Sequence, residues 1–195
     1  MANMEERCCP VCKDKNVVSQ EERLKLFRCP SCTHTFTNEK EDTSVYAKEY
    51  FQKEHQKWFE NPDYALYNKV YQQIKKYHPS SNLELLDIGC GNGSFLKHLK
   101  NKDGSLSLTG IELIENDYPG IAFIQGDFNR HELNKKFDVV TSFMVIEHLE
   151  NPRSFIQKAH GAMKKDSLLV INTINNNSLI YKIARLLHGW GVSTA

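Results

Sequence analysis

The sequence has no long apolar run, no marked excess of charge of either sign and no recognisable leader. Hydrophobic residues make up 40% of the 195 positions. No apolar stretch, however, approaches the roughly 20 residues that a membrane-spanning helix needs. The formal net charge is +1, which lacks the strongly basic balance typical of nucleic-acid-binding proteins. The start of the chain is neither basic nor apolar, so no signal peptide is indicated. We therefore expect a cytoplasmic protein without a membrane span or a nucleic-acid partner.

Cysteine is scarce after residue 32, and four of the six cysteines form two C-P-x-C pairs near the start of the chain. Sixteen residues separate the pair Cys9 and Cys12 from the pair Cys29 and Cys32. Each pair can chelate through two thiolates, and both together complete the tetrahedron of a zinc site. Residues 17–28 are predicted to form a small hairpin, as in a zinc ribbon. We expect a zinc-ribbon-like module over residues 1–37.

Two other interpretations of these cysteines stay open. One C-x-x-C pair could be a redox couple, or the thiols could simply be reduced; bound zinc would exclude the redox role because it blocks the thiols. Cys8 is an alternative ligand, although C-x-x-x-C is a poorer chelating pair. Six cysteines in a chain that is not exported favour metal binding over disulfides.

Residues 83–94, L-E-L-L-D-I-G-C-G-N-G-S, combine a short apolar run, an acidic residue and three glycines. Asp87 precedes Gly89, Gly91 and Gly93, and an apolar stripe at helical spacing follows. Strand, glycine turn and helix begin a nucleotide-binding α/β unit, in which the glycines let a ligand lie against bare backbone. The alternative is a tight turn without a ligand. Glu112 favours the ligand, because it lies about 20 residues further on, where a ribose-binding carboxylate is expected.

Strands alternate with helices through the rest of the chain, which predicts a mainly parallel sheet. Asp87, Glu112, Asp127 and Glu147 all follow strand ends, where ligands of such sheets bind. After the run at 83–88, strands are predicted at residues 106–113, 121–128, 137–146 and 167–174, with a helix at 153–163.

Four ordered motifs carry a resemblance to a known family. D-I-G-C-G-N-G-S, G-I-E-L, Q-G-D-F and F-D-V-V-T-S-F-M-V-I-E-H-L-E-N-P resemble successive motifs of class I S-adenosylmethionine-dependent methyltransferases. The resemblance covers about residues 64–174. It implies a Rossmann-like α/β fold with strand order 3-2-1-4-5, and S-adenosyl-L-methionine as cofactor over residues 80–195.

The resemblance also assigns roles to residues. Asp87 and the loop Gly89, Cys90, Gly91 and Gly93 would hold the methionine end of the cofactor, although Cys90 itself is expected to be a packing residue. Glu112 and the adjoining Leu113 would hold the ribose. His148 is the candidate base for a methyl acceptor, although Glu147 and His148 could serve only to fix the turn after the strand. The remaining contacts would be made by Asp127 with the adenine amino group, Phe128 with the adenine ring, and Ser142, Phe143 and Met144 beneath the sulfonium.

Residues 38–79 are charged and aromatic-rich, and are expected to be a helical linker. Tyr67, Val70, Tyr71 and Ile74 would pack on the sheet, whereas the segment with Tyr46, Tyr50 and Phe51 could close over the cofactor as a lid. A C-P-x-C ribbon, a Y-x-x-x-Y-F segment and this core resemble a bacterial group that modifies sugars and other small metabolites. The alternatives are a ribosomal-RNA guanine methyltransferase and a non-catalytic zinc-ribbon and cofactor-binding module.

Two features depart from the family pattern. Residues 113–120 are too few for the usual helix between the second and third strands. After the fifth strand only one amphipathic helix, at 178–188, precedes the last residue, and the family's C-terminal antiparallel strands are missing. The fifth strand would then be an exposed edge. We expect either a truncated chain or a homodimer or other partner that covers this edge.

Overall fold

The computed structural model describes residues 7–22, 25–37, 60–179 and 183. The chain divides into two compact units, one formed by residues 1–40 and 173–195 and the other by residues 41–172. We call them the ribbon unit and the sheet unit. Within the described ranges, no helix is long and apolar enough to cross a membrane.

The ribbon unit contains a three-stranded antiparallel sheet in sequential order. Its strands are β1 (Val18–Glu21), β2 (Leu26–Arg28) and β3 (Thr35–Thr37). The hairpin formed by β1 and β2 confirms the one predicted at residues 17–28, and β3 adds a strand that the sequence did not indicate. Among the described residues of this unit, the buried apolar side chains are only Cys9, Phe27 and Cys29.

The sheet unit contains a five-stranded parallel sheet. Its spatial order is β6-β5-β4-β7-β8, which confirms the predicted order 3-2-1-4-5. The central strand β4 is almost completely buried, as its apolar sequence requires. The strands are β4 (Glu84–Ile88), β5 (Ser107–Glu112), β6 (Ile121–Gln125), β7 (Phe137–Phe143) and β8 (Met163–Asn172).

Helices cover both faces of this sheet. On one face lie α1 (Tyr64–Tyr77) and α2 (Ser94–Lys102), and on the other lies α3 (Pro152–Gly161). Asp63 caps α1 by accepting a hydrogen bond from the Leu66 N–H at 2.9 Å. The predicted packing of α1 is confirmed: Val70 and Ile74 are buried, and Tyr67 and Tyr71 pack against the same core.

Some element boundaries differ from the predicted ones. β7 ends at Phe143 rather than at residue 146, because the chain turns there into a short 3-10 helix, Ile146–His148. β8 begins at Met163, four residues earlier than predicted, and α3 correspondingly ends at Gly161. The sequence did not indicate this start because residues 164–166 are charged. The pairing of β8 with β7 is irregular in this stretch, and Asp166 has a φ of 58°.

The connections at the β6 edge are short. Residues 113–120, all of them described, form no helix, as predicted. Residues 126–136, between β6 and β7, also form none. The proposed lid residues Tyr46, Tyr50 and Phe51 lie outside the described residues, as does most of the predicted helix at 178–188. The expectation of an uncovered strand edge therefore stays a prediction.

Candidate functional site

Four cysteine sulfurs converge in the ribbon unit. The sulfurs of Cys9, Cys12, Cys29 and Cys32 all lie within 4.8 Å of one another. Cys9 and Cys32 are 3.5 Å apart, and so are Cys12 and Cys29. A tetrahedral ion with ligand bonds of about 2.3 Å separates its sulfurs by about 3.8 Å. The donor set and its spacing therefore fit a metal ion, and Cys8 is not part of the group.

The two loops that carry these cysteines share one backbone pattern. The N–H of Cys9 donates to the Asp14 carbonyl at 2.8 Å, and the N–H of Cys29 donates to the His34 carbonyl at 2.9 Å. The carbonyls of Cys9 and Cys29 accept from residues four further on, Lys13 and Thr33 respectively, both at 2.9 Å. Lys13 and Thr33 both have left-handed backbones, with φ 64° and 63°. Each loop thus presents its two sulfurs in the same way.

In the sheet unit the glycine loop follows β4 and is fixed by backbone bonds. The N–H groups of Gly89 and Cys90 both donate to the Ile111 carbonyl on β5, at 2.9 and 3.3 Å. Gly93 donates to the Cys90 carbonyl at 2.9 Å and leads into α2. The glycines at 89, 91 and 93 have φ values of 69°, 55° and 75°, which other residues adopt only with strain. Cys90 is buried, as expected of a packing residue.

Asp87 lies before this loop and is almost completely buried, with 2% of its surface exposed. Thr141, its direct neighbour on β7, donates a hydrogen bond to Asp87 Oδ1 at 2.7 Å. Burial raises the pKa of Asp87 to about 7; the Thr141 hydrogen bond opposes this, and the charge of Glu112 adds to it. Sequence reasoning placed Thr141 only within a strand, because its role depends on strand register.

Glu112 ends β5 and contacts the loop directly. Its Oε2 accepts the Gly91 N–H at 2.8 Å, and its Oε1 accepts the Leu113 N–H at 2.7 Å. Burial raises the pKa of Glu112, and these two donors oppose the shift. Each carboxylate oxygen retains a free lone pair, so Glu112 can still accept hydrogen bonds from two hydroxyls. Asp87 and Glu112 thus bracket the glycine loop.

The two residues predicted to contact the adenine, Asp127 and Phe128, differ in their burial. Asp127 is partly exposed, accepts the Asn129 N–H at 2.8 Å and pairs with Arg130 at 3.5 Å. Phe128 is buried and packs edge-on against Phe155, with ring centroids 5.5 Å apart. Its ring is therefore part of the core under α3 in this structure.

The strand end after β7 carries the residues predicted to lie under the sulfonium. The Ser142 hydroxyl is buried and donates to the Ile88 carbonyl at 3.1 Å. Met144 has a left-handed backbone, with φ 54°. His148, the candidate base, is exposed at the end of the 3-10 helix.

Beside Asp87 lies a cluster of aromatic side chains. Sequence reasoning did not single out this cluster. The Phe143 ring lies 4.8 Å from Phe95 and 6.2 Å from Tyr67, between centroids. Tyr64 and His98 extend the cluster on its outer side. Burial raises the pKa of Tyr67 to about 12, and the charge of Asp87 adds to the shift. Aromatic faces of this kind can attract a cation.

A Cβ added at Gly89 would clash with the side chain of Val145. It would lie 2.3 Å from the Val145 Cγ2, at a backbone φ of 69°. We expect Gly89→Ala to weaken the binding of S-adenosylmethionine at least tenfold, because strain and a steric clash meet at one residue. Titration calorimetry would measure this, with Gly104→Ala as control, since a Cβ there meets nothing within 4 Å. Unchanged affinity would mean that the loop does not contact the cofactor.

The parallel order of the sheet, the glycine loop and the two carboxylates at the strand ends define a nucleotide-binding α/β domain. The model of a family described as a methyltransferase domain matches residues 44–194. The chain therefore belongs to this family of class I S-adenosylmethionine-dependent methyltransferase domains.

The proteins similar to the chain include ubiquinone biosynthesis O-methyltransferases and solved methyltransferase structures. A ubiquinone biosynthesis O-methyltransferase of Rickettsia felis is 28% identical over 129 residues, 58% of this chain and 52% of the relative. The Glaesserella parasuis enzyme of the same name is 32% identical over 117 residues, 51% of this chain and 49% of the relative. The chain thus spans about half the length of the curated relatives it matches.

Both structures confirm the fold. CalS10, an amino pentose methyltransferase from Micromonospora echinaspora, matches with a TM-score of 0.53 and 21% identity, covering 67% of this chain and 58% of that one. The plantazolicin methyltransferase BpumL, solved with S-adenosylhomocysteine, matches with a TM-score of 0.52 and 21% identity, covering 66% of this chain and 60% of that one.

Proposed function

We propose that this chain is an S-adenosylmethionine-dependent methyltransferase that acts on a small metabolite, a sugar or a natural-product intermediate. The observation that carries the proposal is the glycine loop at the carboxyl edge of the parallel sheet, which follows the buried Asp87 and donates the Gly91 N–H to Glu112. Bound S-adenosylmethionine supplies a methyl group that its sulfonium already activates. The protein must therefore mainly position the acceptor and exclude water.

In this proposal each residue at the carboxyl edge of the sheet has a specific role. Asp87 faces the cationic methionine end, and Glu112 accepts the ribose hydroxyls with the lone pairs that Gly91 and Leu113 leave free. The aromatic faces of Tyr67 and Phe143 line the space near the sulfonium. His148 accepts a proton where the acceptor is a hydroxyl.

A small acceptor is supported by two observations. The outermost aromatic side chain of the cluster, Tyr64, is 54% exposed, and a sugar or a planar metabolite could stack on an exposed ring of this kind. The matched relatives and structures are also named for ubiquinone biosynthesis, for an amino pentose and for plantazolicin.

We further propose that the four-cysteine group binds zinc and that residues 1–37 form the zinc-ribbon module. Thiolate ligands in a tetrahedral arrangement are typical of structural zinc. A structural role fits best, because four protein ligands leave no open coordination position for a substrate.

The proposed cofactor site is tested by replacing its ribose-facing carboxylate. We expect micromolar binding of S-adenosylmethionine and S-adenosylhomocysteine to the metal-loaded chain. Glu112→Ala should weaken both at least tenfold, because it removes two hydroxyl acceptors and frees the Gly91 N–H. Titration calorimetry measures this; Glu115→Ala is the matched control, since its carboxylate is exposed three residues further on.

Transfer of labelled methyl groups then tests the activity. Incubation with nucleotide sugars and a small-metabolite extract should give a labelled small product. Labelled ribosomal RNA would favour the RNA enzyme instead. Binding without any labelled product would favour a cofactor-binding module, and no binding by folded protein would refute the proposed function.

A further inference from the structure

Both backbone polar groups of Gly91, its N–H and its carbonyl, are held by side chains from the end of β5 and the loop after it. The Gly91 N–H donates to Glu112 Oε2 at 2.8 Å. The Gly91 carbonyl accepts from Asn116 Nδ2 at 2.7 Å. We call Gly91, Glu112 and Asn116 the Gly91 clamp. Since a carbonyl oxygen can only accept, the contact requires the donor that an asparagine amide provides.

The clamp acts on the part of the glycine loop that the sheet does not hold. The N–H groups of Gly89 and Cys90 are fixed by the Ile111 carbonyl. Gly91 is further along, has a left-handed φ of 55°, and has no side chain to restrict it. A glycine loses more conformational freedom on ordering than any other residue. Two directional hydrogen bonds, one to each of the peptide groups that flank the Gly91 Cα, offset this loss and set the orientation of the Gly91 backbone.

The same clamp includes the carboxylate proposed to bind ribose. Glu112 Oε1 accepts the Leu113 N–H, so both oxygens are oriented before any ligand arrives. Asn116 is half-buried and lies in the connection between β5 and β6, which lacks the usual helix. Its side chain ties that connection to the loop, and this links the orientation of Glu112 to that of Gly91.

We propose that Asn116 is a positioning residue of the cofactor site, which holds the Gly91 backbone in the orientation that Glu112 needs to bind the ribose. The proposal rests on the proposed cofactor function. Asn116 acts through Gly91 and Glu112, so its removal loosens a preformed site. Preorganisation of this kind lowers the cost of binding.

The test is titration of S-adenosylhomocysteine into the wild type, Asn116→Ala, Asn116→Asp and Asn134→Ala. Asn134 is exposed in a different loop, which makes its alanine variant a matched control. We expect Asn134→Ala to bind as the wild type does and Asn116→Ala to bind about fivefold more weakly, as for one lost hydrogen bond. Asn116→Asp should bind more weakly still, because a carboxylate would face the Gly91 carbonyl and repel Glu112.

Two further measurements distinguish positioning from general support of the fold. In the cofactor-free protein, the amide signals of Gly91 and Asn92 should shift in Asn116→Ala while those of β7 and β8 stay in place. In a Glu112→Ala background the Asn116→Ala substitution should cost less affinity, because both side chains hold the backbone of the same residue, Gly91.

The outcomes separate this proposal from the one on which it rests. Failure of the wild type to bind would refute the cofactor function. Wild-type binding with equal affinity in Asn116→Ala would refute the positioning role alone. A general loss of amide dispersion in Asn116→Ala would also refute it, because Asn116 would then be needed for folding.

Discussion

Removal of the proposed zinc ion is expected to abolish the fold of the ribbon unit. The described residues of that unit bury Cys9, Phe27 and Cys29 and no other apolar side chain, a core far too small to offset the entropy of ordering. Structural zinc contributes an apparent binding free energy of about 10–16 kcal/mol in small domains at neutral pH. We expect one equivalent of zinc by mass spectrometry, and loss of the β1–β3 amide signals when a chelator in excess removes it.

Single cysteine variants provide the matched comparison. Cys29→Ser should lose the zinc and the ribbon signals, because Cys29 is buried in the group of four sulfurs. Cys8→Ser should retain both, because Cys8 is exposed and lies outside the group. The signals of the sheet unit, which has its own buried core, serve as an internal reference. Stoichiometric zinc in Cys29→Ser, or an unchanged ribbon after chelation, would contradict the structural role.

Cofactor affinity is expected to fall steeply as the pH drops below neutral. The pKa of Asp87 is raised to about 7 in the cofactor-free protein, so Asp87 is largely protonated below that pH. S-adenosylmethionine brings an ammonium and a sulfonium, which favour the ionised carboxylate, so binding must release the Asp87 proton. Linkage then predicts an affinity about 25-fold weaker at pH 5.5 than at pH 7.5, and level above that.

The same pKa has the opposite effect on stability without cofactor. The unfolded pKa of aspartate is about 3.9, so between that value and about 7 the native state binds the additional proton. Stability therefore falls as the pH rises through this window, by about 4 kcal/mol in total, and stays level above it. Asp87→Asn should remove this fall and flatten the affinity profile.

Two controls identify the titrating group. Asp138→Asn should leave the affinity profile unchanged, because Lys164 and the Glu84 N–H hold the pKa of Asp138 low, at the opposite end of the strands. Glu112→Gln tests the second carboxylate, whose pKa burial also raises. A wild-type affinity that does not change between pH 5.5 and 7.5 would mean that Asp87 stays ionised in the empty site.

Local sequence pattern predicted most of the sheet unit. Apolar runs bounded by glycine or acidic residues identified the strands, and their alternation with helices predicted the parallel order. The start of β8 was predicted too late because residues 164–166, near the start of the strand, are charged. There the strand is defined by pairing with Phe137 on β7, a contact that no local pattern encodes.

Candidate site residues at strand ends could be predicted from the sequence. Residues that act through contacts across the fold could not. Asp87 and Glu112 were predicted because both lie at the ends of strands, next to apolar residues. Thr141 was not predicted as the partner of Asp87, because a threonine within a strand is ordinary until the register is known. Asn116 lies in a loop without periodicity, and its role depends on the path that the loop takes to reach Gly91.

The pairing of Asp87 with Thr141 has a consequence for how the protein folds. The two residues are direct neighbours across β4 and β7, so their contact exists in only one alignment of these strands. A slip of one residue would turn Thr141 to the opposite face and leave a buried carboxyl group without its donor. The side chain of Asp87, which we propose faces the cofactor, therefore also favours the native alignment of β4 and β7, and an error in the pairing of these strands costs free energy at the candidate site.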